Sequence, residues 1–244
     1  MITGILLNEI YSINIGFERR PATGGCGDVT SSFSRLNNVK TAPHQIVIFD
    51  MDGTLTLPAI DFGRLRAEIG IESGTILEAL ETMTDHERAR AHDIIEEHER
   101  VAARDSELQD GVHEVLEFLR AGGIRTAIAT RNSRRSVRTV LDKHHIHVDH
   151  IHTREDGPVK PSPQPVLDIC KYFHIAPESS WMVGDYVYDI QSGNAAGATT
   201  VLFAADGSSP EADFGELSRV VEQTDYVIRN LRELIAILNN GESK

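Results

Sequence analysis

Ile46-Val47-Ile48-Phe49-Asp50-Met51-Asp52-Gly53-Thr54 is the stretch that decides the fold, because it joins four apolar residues directly to two carboxylates. A short, continuous apolar run of this kind predicts a buried parallel strand. Asp50 and Asp52 are two residues apart, so on an extended backbone they share a face. They would lie at the carboxyl end of the strand, where open α/β sheets hold their sites. A surface turn would explain Gly53 but not two acids attached to a hydrophobic strand.

Downstream of this stretch, apolar strands alternate with amphipathic helices, which predicts a parallel sheet covered by helices. The predicted strands are Thr126–Ala129, Trp181–Val183, Thr199–Phe203 and Tyr226–Ile228, with a short strand around Ile151. The predicted helices are Val112–Leu119 ending at Gly122-Gly123, Ser133 to about Lys143, a helix ending near Ala196, and Leu231–Leu238. The expected fold class is therefore α/β, Rossmann-like, with helices on both faces of the sheet.

The segment from Leu57 to about Asp110 has helical spacing but few apolar residues. Thr84-Asp85-His86-Glu87 has the spacing of a capping box, which predicts a helix start there. This part of the chain forms a thin amphipathic segment and not a second core. It lies between the first strand and the next, so it is an insertion into the sheet domain.

Residues 1–41 show no lasting helical or strand period, and we expect a disordered leader that is dispensable for activity. A transit peptide is the alternative: the arginines of the segment fit one, and its acidic residues do not. Cys26 and Cys170 make no disulfide framework, which favours a reducing, cytoplasmic location.

The charge and hydropathy of the chain exclude two classes of partner. A formal net charge of −13 over 244 residues argues against a nucleic-acid backbone. It is compatible with a small phosphorylated substrate if cations are concentrated locally. No apolar stretch in the sequence is long enough to cross a bilayer, so we expect no membrane partner.

Three further groups of polar residues follow predicted strands or turns. Thr130 ends the second strand, where a hydroxyl can donate to a phosphoryl oxygen without adding charge. The backbone N–H groups of Arg131 and Asn132, near a helix start, can bind the same anion; the alternative is that Thr130 or Ser133 only caps that helix. Lys160 is held at a rigid turn by the prolines after it, so its ammonium could pair with a carboxylate and with phosphoryl oxygens.

Asp185 and Asp189 follow the predicted strand Trp181–Val183 and are four residues apart. Carboxylates at this spacing meet on one helical turn and repel each other, which a bound cation would relieve. Hard oxygen ligands of this kind suit Mg²⁺, so the sequence predicts a magnesium site.

Taken together and in this order, these residues resemble the motifs of the haloacid dehalogenase-like hydrolases. The motif residues are Asp50 and Asp52 in Asp-Met-Asp-Gly-Thr-Leu, Thr130, Lys160, and Asp185 and Asp189 in Gly-Asp-Tyr-Val-Tyr-Asp. The Lys-Pro-Ser-Pro-Gln-Pro run is most similar to the phosphoglycolate-phosphatase-like branch. The resemblance implies a hydrolase core at 42–56 and 111–244, with a short helical cap at 57–110. Tyr186 departs from the family, in which many members have Ser.

The resemblance also implies a mechanism, that of a Mg²⁺-dependent phosphatase of a small phosphomonoester. Asp50 would attack phosphorus and become an aspartyl phosphate, while Asp52 would act as general acid and then base. Mg²⁺ would be held by Asp50, Asp185 and the backbone carbonyl of Asp52, with Asp189 completing its shell. Thr130, Arg131, Asn132 and Lys160 would bind the substrate phosphate. The dehalogenases themselves lack the second acid, which makes halide displacement a poor fit.

Two alternative functions remain open. A phosphosugar mutase of the same superfamily would use the same aspartyl phosphate but return it to a bound sugar. A non-catalytic binding or regulatory module on the same scaffold would need none of the catalytic residues, yet all are present.

The histidine-rich run from His144 to His152 suggests a transition-metal site. We favour instead an exposed loop that leads into the strand around Ile151, with several imidazoles on one solvated face.

Overall fold

The computed structural model describes residues 45–72, 76–205 and 221–240. The leader expected at 1–41 lies outside these residues. Within them, the predicted α/β architecture is confirmed, with one six-stranded sheet in which every paired neighbour is parallel. The strands are β1 (Ile46–Phe49), β2 (Arg125–Ala129), β3 (His150–His152), β4 (Ser180–Gly184), β5 (Thr199–Phe203) and β6 (Tyr226–Ile228).

The strand order is β3-β2-β1-β4-β5-β6, so β1 lies at the centre between β2 and β4. The chain builds outward from β1 through β2 to β3 and then returns to the other side of β1 with β4. Phe49 is opposite Ile128 of β2 and Val183 of β4, so the three strands end at nearly the same level. This change of direction opens a crevice at the carboxyl end of β1, where α/β sheets bind their ligands.

Burial along β1 explains why its four residues are all apolar. Val47 and Phe49 pack into the hydrophobic cluster on one face of the sheet, and Ile46 and Ile48 into the cluster on the other. A strand covered on both faces cannot carry the polar alternation of a half-exposed strand. The first polar side chain after the strand is therefore that of Asp50, at the carboxyl end of β1.

Helices cover both faces of the sheet and form the inserted segment. They are α1 (Phe62–Ile69), α2 (Ile76–Thr82), α3 (Asp85–Asp105), α4 (Val112–Ala121), α5 (Arg134–His144), α6 (Gln164–Phe173), α7 (Val187–Ala196) and α8 (Glu233–Asn240), with a 3-10 turn at Pro177–Ser179. The predicted capping box at Thr84 is present, since its side chain and that of Glu87 bond each other's backbone N–H.

The helical prediction for 57–110 was too long at both ends. Residues 57–61 and 106–110 are not helical, and residues 55–57 pair antiparallel with residues 107–109. The Leu57 N–H donates to the Glu107 carbonyl at 2.8 Å, and the Gln109 N–H donates to the Leu55 carbonyl at 3.0 Å. These backbone bonds replace the helical ones that the sequence spacing predicts. The inserted helices therefore leave and rejoin the sheet domain through one paired connection.

The expectation that the insertion has no core of its own was too strict, because the inserted helices have a small hydrophobic cluster separate from those of the sheet. Its buried members are Leu65, Leu80, Ala91 and Ile95. Farther along α3, Ala103 belongs instead to the main cluster of the sheet domain. The 21-residue helix α3 therefore extends from the inserted segment into the sheet domain.

The expectation of a solvated histidine face was wrong for His152, which is 3% exposed. Its Nε2 lies 3.5 Å from an Asp168 carboxylate oxygen on α6, and His150 packs on Tyr172 of the same helix with ring centroids 4.3 Å apart. The two histidines share a face of β3, as the alternation predicts. That face is covered by α6, which the local sequence does not reveal. His145 and His147 are exposed as expected.

Crossing a bilayer requires a long, apolar helix, and none of the helices in the described ranges has both properties.

Candidate active site

The turn after β1 is shaped by Gly53, which has a φ of +85°. A Cβ on this residue would overlap the carboxylate of Asp185, so glycine is required both for the backbone angle and for the close approach. The next residue, Thr54, donates its hydroxyl to Asp185 at 3.0 Å. The turn after β1 thus fixes the acid that follows β4.

Lys160 connects two of the predicted site acids. Its Nζ lies 2.6 Å from Asp50 Oδ1 and 2.5 Å from Asp189 Oδ1, and the lysine is 3% exposed. Burial alone would lower the pKa of Lys160, but the charges of Asp189 and Asp50 outweigh it and hold that pKa above its ordinary value. The lysine is therefore a permanent cation beside Asp50.

Asp50, Asp185 and Asp189 form a compact group, with one carboxylate oxygen of each within 4.8 Å of the others. Burial, followed by the charges of Asp50 and Asp189, raises the pKa of Asp185 to about 8. Burial also raises the pKa of Asp189 to about 6, against the opposing charge of Lys160. One lysine does not neutralise three clustered carboxyls, so the site favours either protons or a further cation.

The donor set of this group fits Mg²⁺. It offers three hard carboxylate oxygens, the kind of ligand that Mg²⁺ takes in proteins. One such oxygen from each residue lies within 4.8 Å of the other two. The carboxylate of Asp52 is outside this group, and the metal role expected for the Asp52 backbone carbonyl stays a prediction.

Asp52 has a different environment. Its Oδ2 accepts a 2.5 Å hydrogen bond from the Asn132 side-chain amide, and its Oδ1 accepts one from Thr56 Oγ1 at 3.3 Å. Burial and then the charge of Asp50 raise the pKa of Asp52 to about 6, although the Asn132 bond opposes the shift. A carboxyl with this pKa can give up and take back a proton near neutral pH.

The loop after β2 carries the predicted anion-binding residues. Thr130 is buried, and its hydroxyl accepts a hydrogen bond from the Asn132 backbone N–H at 3.2 Å. One of the two N–H groups expected to bind an anion therefore has an internal partner. Ser133 caps α5, which confirms the helix-capping alternative for this residue.

Arg131 reaches across the crevice. Its guanidinium carbon lies 5.0 Å from the ring centroid of Tyr188, a cation–π contact. Arg131 follows β2 and Tyr188 follows β4, and these strands flank β1, so the contact passes over the end of β1. Among the described residues, no hydrogen bond joins Arg131 or Thr130 directly to Asp50 or Asp52.

Tyr186 fits beside the acids despite its departure from the family pattern. Its backbone N–H donates to Asp189 Oδ2 at 3.0 Å. Its ring packs edge-on against Tyr188 with centroids 5.0 Å apart. The side chain therefore adds to the aromatic wall that supports Arg131.

Sequence reasoning missed the side-chain role of Asn132 and the buried pair formed by Glu99 and Arg154. Asn132 follows a strand end, which could have suggested a side-chain contact as readily as a backbone one. Glu99 is one of many acids on a charged helix, and it is distinguished only by being 4% exposed. No local pattern separates it from its exposed neighbours.

A carboxylate paired with a buried lysine at the switch point of a parallel sheet defines an α/β enzyme site. Comparisons with known proteins identify the family. Residues 57–203 match the family model described as haloacid dehalogenase-like hydrolase. An uncharacterized hydrolase of Saccharomyces cerevisiae is 34% identical over 216 residues, covering 85% of this chain and 97% of the yeast protein. The chain therefore belongs to the haloacid dehalogenase-like hydrolase family.

Two other proteins place the chain among its relatives. A phosphoglycolate phosphatase of Nitrosospira multiformis is 33% identical over 104 residues, which is 41% of this chain and 46% of that protein. The crystal structure of a hydrolase from Pseudomonas syringae matches with a TM-score of 0.66 at 23% identity, covering 80% of this chain and 98% of that one. The structural match concerns the fold. The sequence match supports the phosphoglycolate-phosphatase-like branch.

Proposed function

We propose that this protein is a Mg²⁺-dependent phosphatase that hydrolyses a small phosphomonoester through an aspartyl phosphate on Asp50. The observation that carries the proposal is the position of Asp50, at the end of the central strand and 2.6 Å from the buried Lys160 ammonium. The likeness to phosphoglycolate phosphatases supports phosphate monoesters as the substrate class.

In the first step, a carboxylate oxygen of Asp50 forms a bond to phosphorus and the bond from phosphorus to the leaving oxygen breaks. Asp52 gives its proton to that oxygen. With a pKa near 6, Asp52 is protonated in part of the population at neutral pH. Lys160 stays charged and stabilises the equatorial phosphoryl oxygens beside Asp50.

In the second step, Asp52 accepts a proton from water as the water attacks the phosphorus of the aspartyl phosphate. The acyl–phosphate bond breaks, phosphate leaves, and Asp50 is restored as a carboxylate. The hydroxyl of Thr130 and the loop N–H groups after it would hold the phosphoryl oxygens in both steps.

A magnesium ion would be held by Asp50, Asp185 and Asp189, together with the Asp52 backbone carbonyl. When bound, it would neutralise the charge that builds up as the anionic substrate meets these carboxylates. The inserted helices α1 and α2, with the first half of α3, would act as the cap that encloses the leaving group.

The first test compares the wild type with Asp50→Asn, which is nearly isosteric. Phosphate release from a panel of phosphomonoesters with Mg²⁺ should fall to background in the variant, while its thermal unfolding midpoint stays close to that of the wild type. Substantial turnover by a folded Asp50→Asn protein would exclude Asp50 as the nucleophile.

Metal dependence and product identity complete the test. Dialysis against a chelator should abolish turnover, and Mg²⁺ alone should restore it; activity that returns only with Zn²⁺ would contradict the metal assignment.

Free phosphate as product supports a phosphatase, whereas an isomerised sugar phosphate would indicate a mutase. Failure of beryllium fluoride to bind the Mg²⁺-loaded protein would favour a non-catalytic module.

A further inference from the structure

A buried ion pair joins the inserted helices to the loop that carries Asn132. Glu99, on α3, is 4% exposed and contacts the Arg154 guanidinium, which is 13% exposed. Arg154 lies just after β3, on the sheet domain. Glu99 comes from the inserted segment, so the pair connects two parts of the chain that the sequence separates by 55 residues.

The pair binds the backbone of three consecutive loop residues. The Arg154 guanidinium donates to the Arg131 carbonyl at 3.4 Å, and the Arg154 backbone N–H donates to the Asn132 carbonyl at 3.3 Å. Glu99 Oε2 accepts the Ser133 N–H at 3.2 Å. These contacts fix the backbone of residues 131–133 on both sides of Asn132.

The Ser133 contact also places the Glu99 charge favourably. Ser133 is the N-cap of α5, so Glu99 lies at the positive end of that helix. Ser136 in the first turn of α5 directs its hydroxyl to the same carboxylate oxygen at 3.4 Å. A buried carboxylate with a guanidinium and helix N-terminal partners is held in one orientation.

Asn132, whose backbone lies between these contacts, contacts Asp52 through its side chain. The Asn132 amide donates to Asp52 Oδ2 at 2.5 Å. A shift of the loop would move this donor, and with it the carboxyl that exchanges protons with the leaving group. Displacements of about 1 Å at such a point can cost about a hundredfold in rate.

We propose that Glu99 and Arg154 are positioning residues that hold Asn132 against Asp52, so that the inserted segment helps to set the geometry of the proton-transfer step. Neither residue touches the reacting atoms. The inference rests on the proposed function, because it assigns proton transfer to Asp52.

The test uses the dependence of the first turnover on the leaving group. An alkyl phosphate needs a proton on its leaving oxygen, whereas an aryl phosphate such as p-nitrophenyl phosphate leaves readily without one. Glu99→Gln should slow leaving-group release from an alkyl phosphate by about a hundredfold and release from the aryl phosphate by less than about tenfold. Any change in KM should be the same for both substrates, because both present the same phosphate group to the loop.

Glu97→Gln is the matched control. Glu97 lies on the same helix and pairs with Arg100, but both side chains are exposed, at 58% and 47%. Its replacement should leave the rate of leaving-group release unchanged for both substrates. Arg154→Lys keeps the charge but loses the fork that reaches the Arg131 carbonyl, so it should show the same substrate dependence to a smaller degree. Arg154→Lys also tests the positioning role if Glu99→Gln does not fold.

The outcomes separate the two proposals. With an active wild type, the positioning role would be overturned if folded Glu99→Gln and Arg154→Lys slowed leaving-group release equally from the alkyl and aryl substrates. Unchanged rates in both variants would overturn it as well. If the wild type itself releases no phosphate from either substrate, the proposed function fails first. The rate of leaving-group release from the alkyl substrate should fall no further in the double variant Glu99→Gln/Asn132→Ala than in Asn132→Ala alone.

Discussion

Gly53 is a residue at which the site tolerates little change. Its positive φ and its contact with Asp185 are separate constraints, and an added methyl group would violate both. The contact matters most because Asp185 is one of the three clustered carboxylates. Backbone geometry at one glycine thus determines where a candidate metal ligand lies.

Gly53→Ala should lose at least about a hundredfold in kcat/KM, because the displaced Asp185 moves by an amount comparable with the 1 Å shifts that cost this much. Gly70→Ala is the control: Gly70 has a φ of +90° at the end of α1, but a Cβ there would meet nothing within 4 Å. It should cost about 1–2 kcal/mol of stability through backbone strain and leave turnover intact. Steady-state kinetics and thermal unfolding of both variants check this, and an active Gly53→Ala would refute the overlap.

The clustered acids also predict how the metal-free protein responds to pH. Asp52 and Asp189 have folded-state pKa values of about 6, and Asp185 of about 8, all above the ordinary value of 3.8. The folded state therefore binds more protons than the unfolded chain between these limits. Their stabilising contribution is complete below the ordinary pKa and is lost as pH rises through 6 and then 8.

We therefore expect the free energy of unfolding of the chelator-treated protein to decline from pH 6.5 to 8.5 relative to Asp185→Asn, which lacks the titrating group. Subtracting the variant's curve removes the histidine contributions that the two proteins share. Added Mg²⁺ should stabilise the wild type more at pH 8.5 than at pH 6.5. Parallel curves for the two proteins would show that Asp185 has no raised pKa.

At the scale of elements, α3 belongs to two hydrophobic clusters. Ala91 and Ile95 pack with α1 and α2, while Ala103 packs with the sheet domain. The end of α3 is also fixed by Lys143, whose ammonium donates to the carbonyls of Arg104 and Ser106 at 2.7 and 2.6 Å. A lid that moves as one piece, including all of α3, would have to break these contacts. Motion is more easily confined to α1, α2 and the first half of α3.

Leu65→Ala should loosen the inserted helices without loosening the sheet. Leu65 is 2% exposed in the small cluster, and removing a buried leucine side chain costs about 2–5 kcal/mol. Amide hydrogen exchange should accelerate in α1 and α2 and stay unchanged in β1 and β4. Leu119→Ala, in the main cluster, is the control that should affect the sheet strands. Faster exchange in β1 of Leu65→Ala would mean that the segment unfolds together with the sheet.

At the scale of the whole molecule, a large sheet domain supports a small inserted segment. The sheet places the acids and the lysine at the carboxyl end of β1, and the insertion has a cluster of four buried residues of its own. If the inserted helices act as the proposed cap, a segment of this size would enclose only part of a substrate. Enclosure of the leaving group is the main source of discrimination between phosphomonoesters.

We therefore expect broad selectivity among small phosphomonoesters. Values of kcat/KM for phosphoglycolate, sugar phosphates, nucleoside monophosphates and an aryl phosphate should lie within about a thousandfold, roughly 4 kcal/mol of differential transition-state binding. The measurement is a steady-state panel at one pH and one Mg²⁺ concentration. A single substrate that exceeds all the others by more than this would mean that the cap encloses its leaving group closely.

The sequence by itself determined the parallel sheet and most of its helices, although it did not single out α6, and it proposed the candidate site residues. A four-residue apolar strand followed at once by acids can be recognised locally, because burial on both faces leaves no polar position within the strand. The same holds for the helix starts at Thr84 and Ser133, where a cap and its partners lie within four residues.

Only the tertiary structure decided which distant groups meet. The contact between Asn132 and Asp52 joins residues 80 apart, and the pair of Glu99 and Arg154 joins residues 55 apart. The burial of His152 under α6 is a third example. Each depends on which element covers which face, and a side chain of given chemistry looks the same in the sequence whether it will be exposed or covered. The sequence therefore predicted the chemistry of the site, while packing decided how its side chains are held.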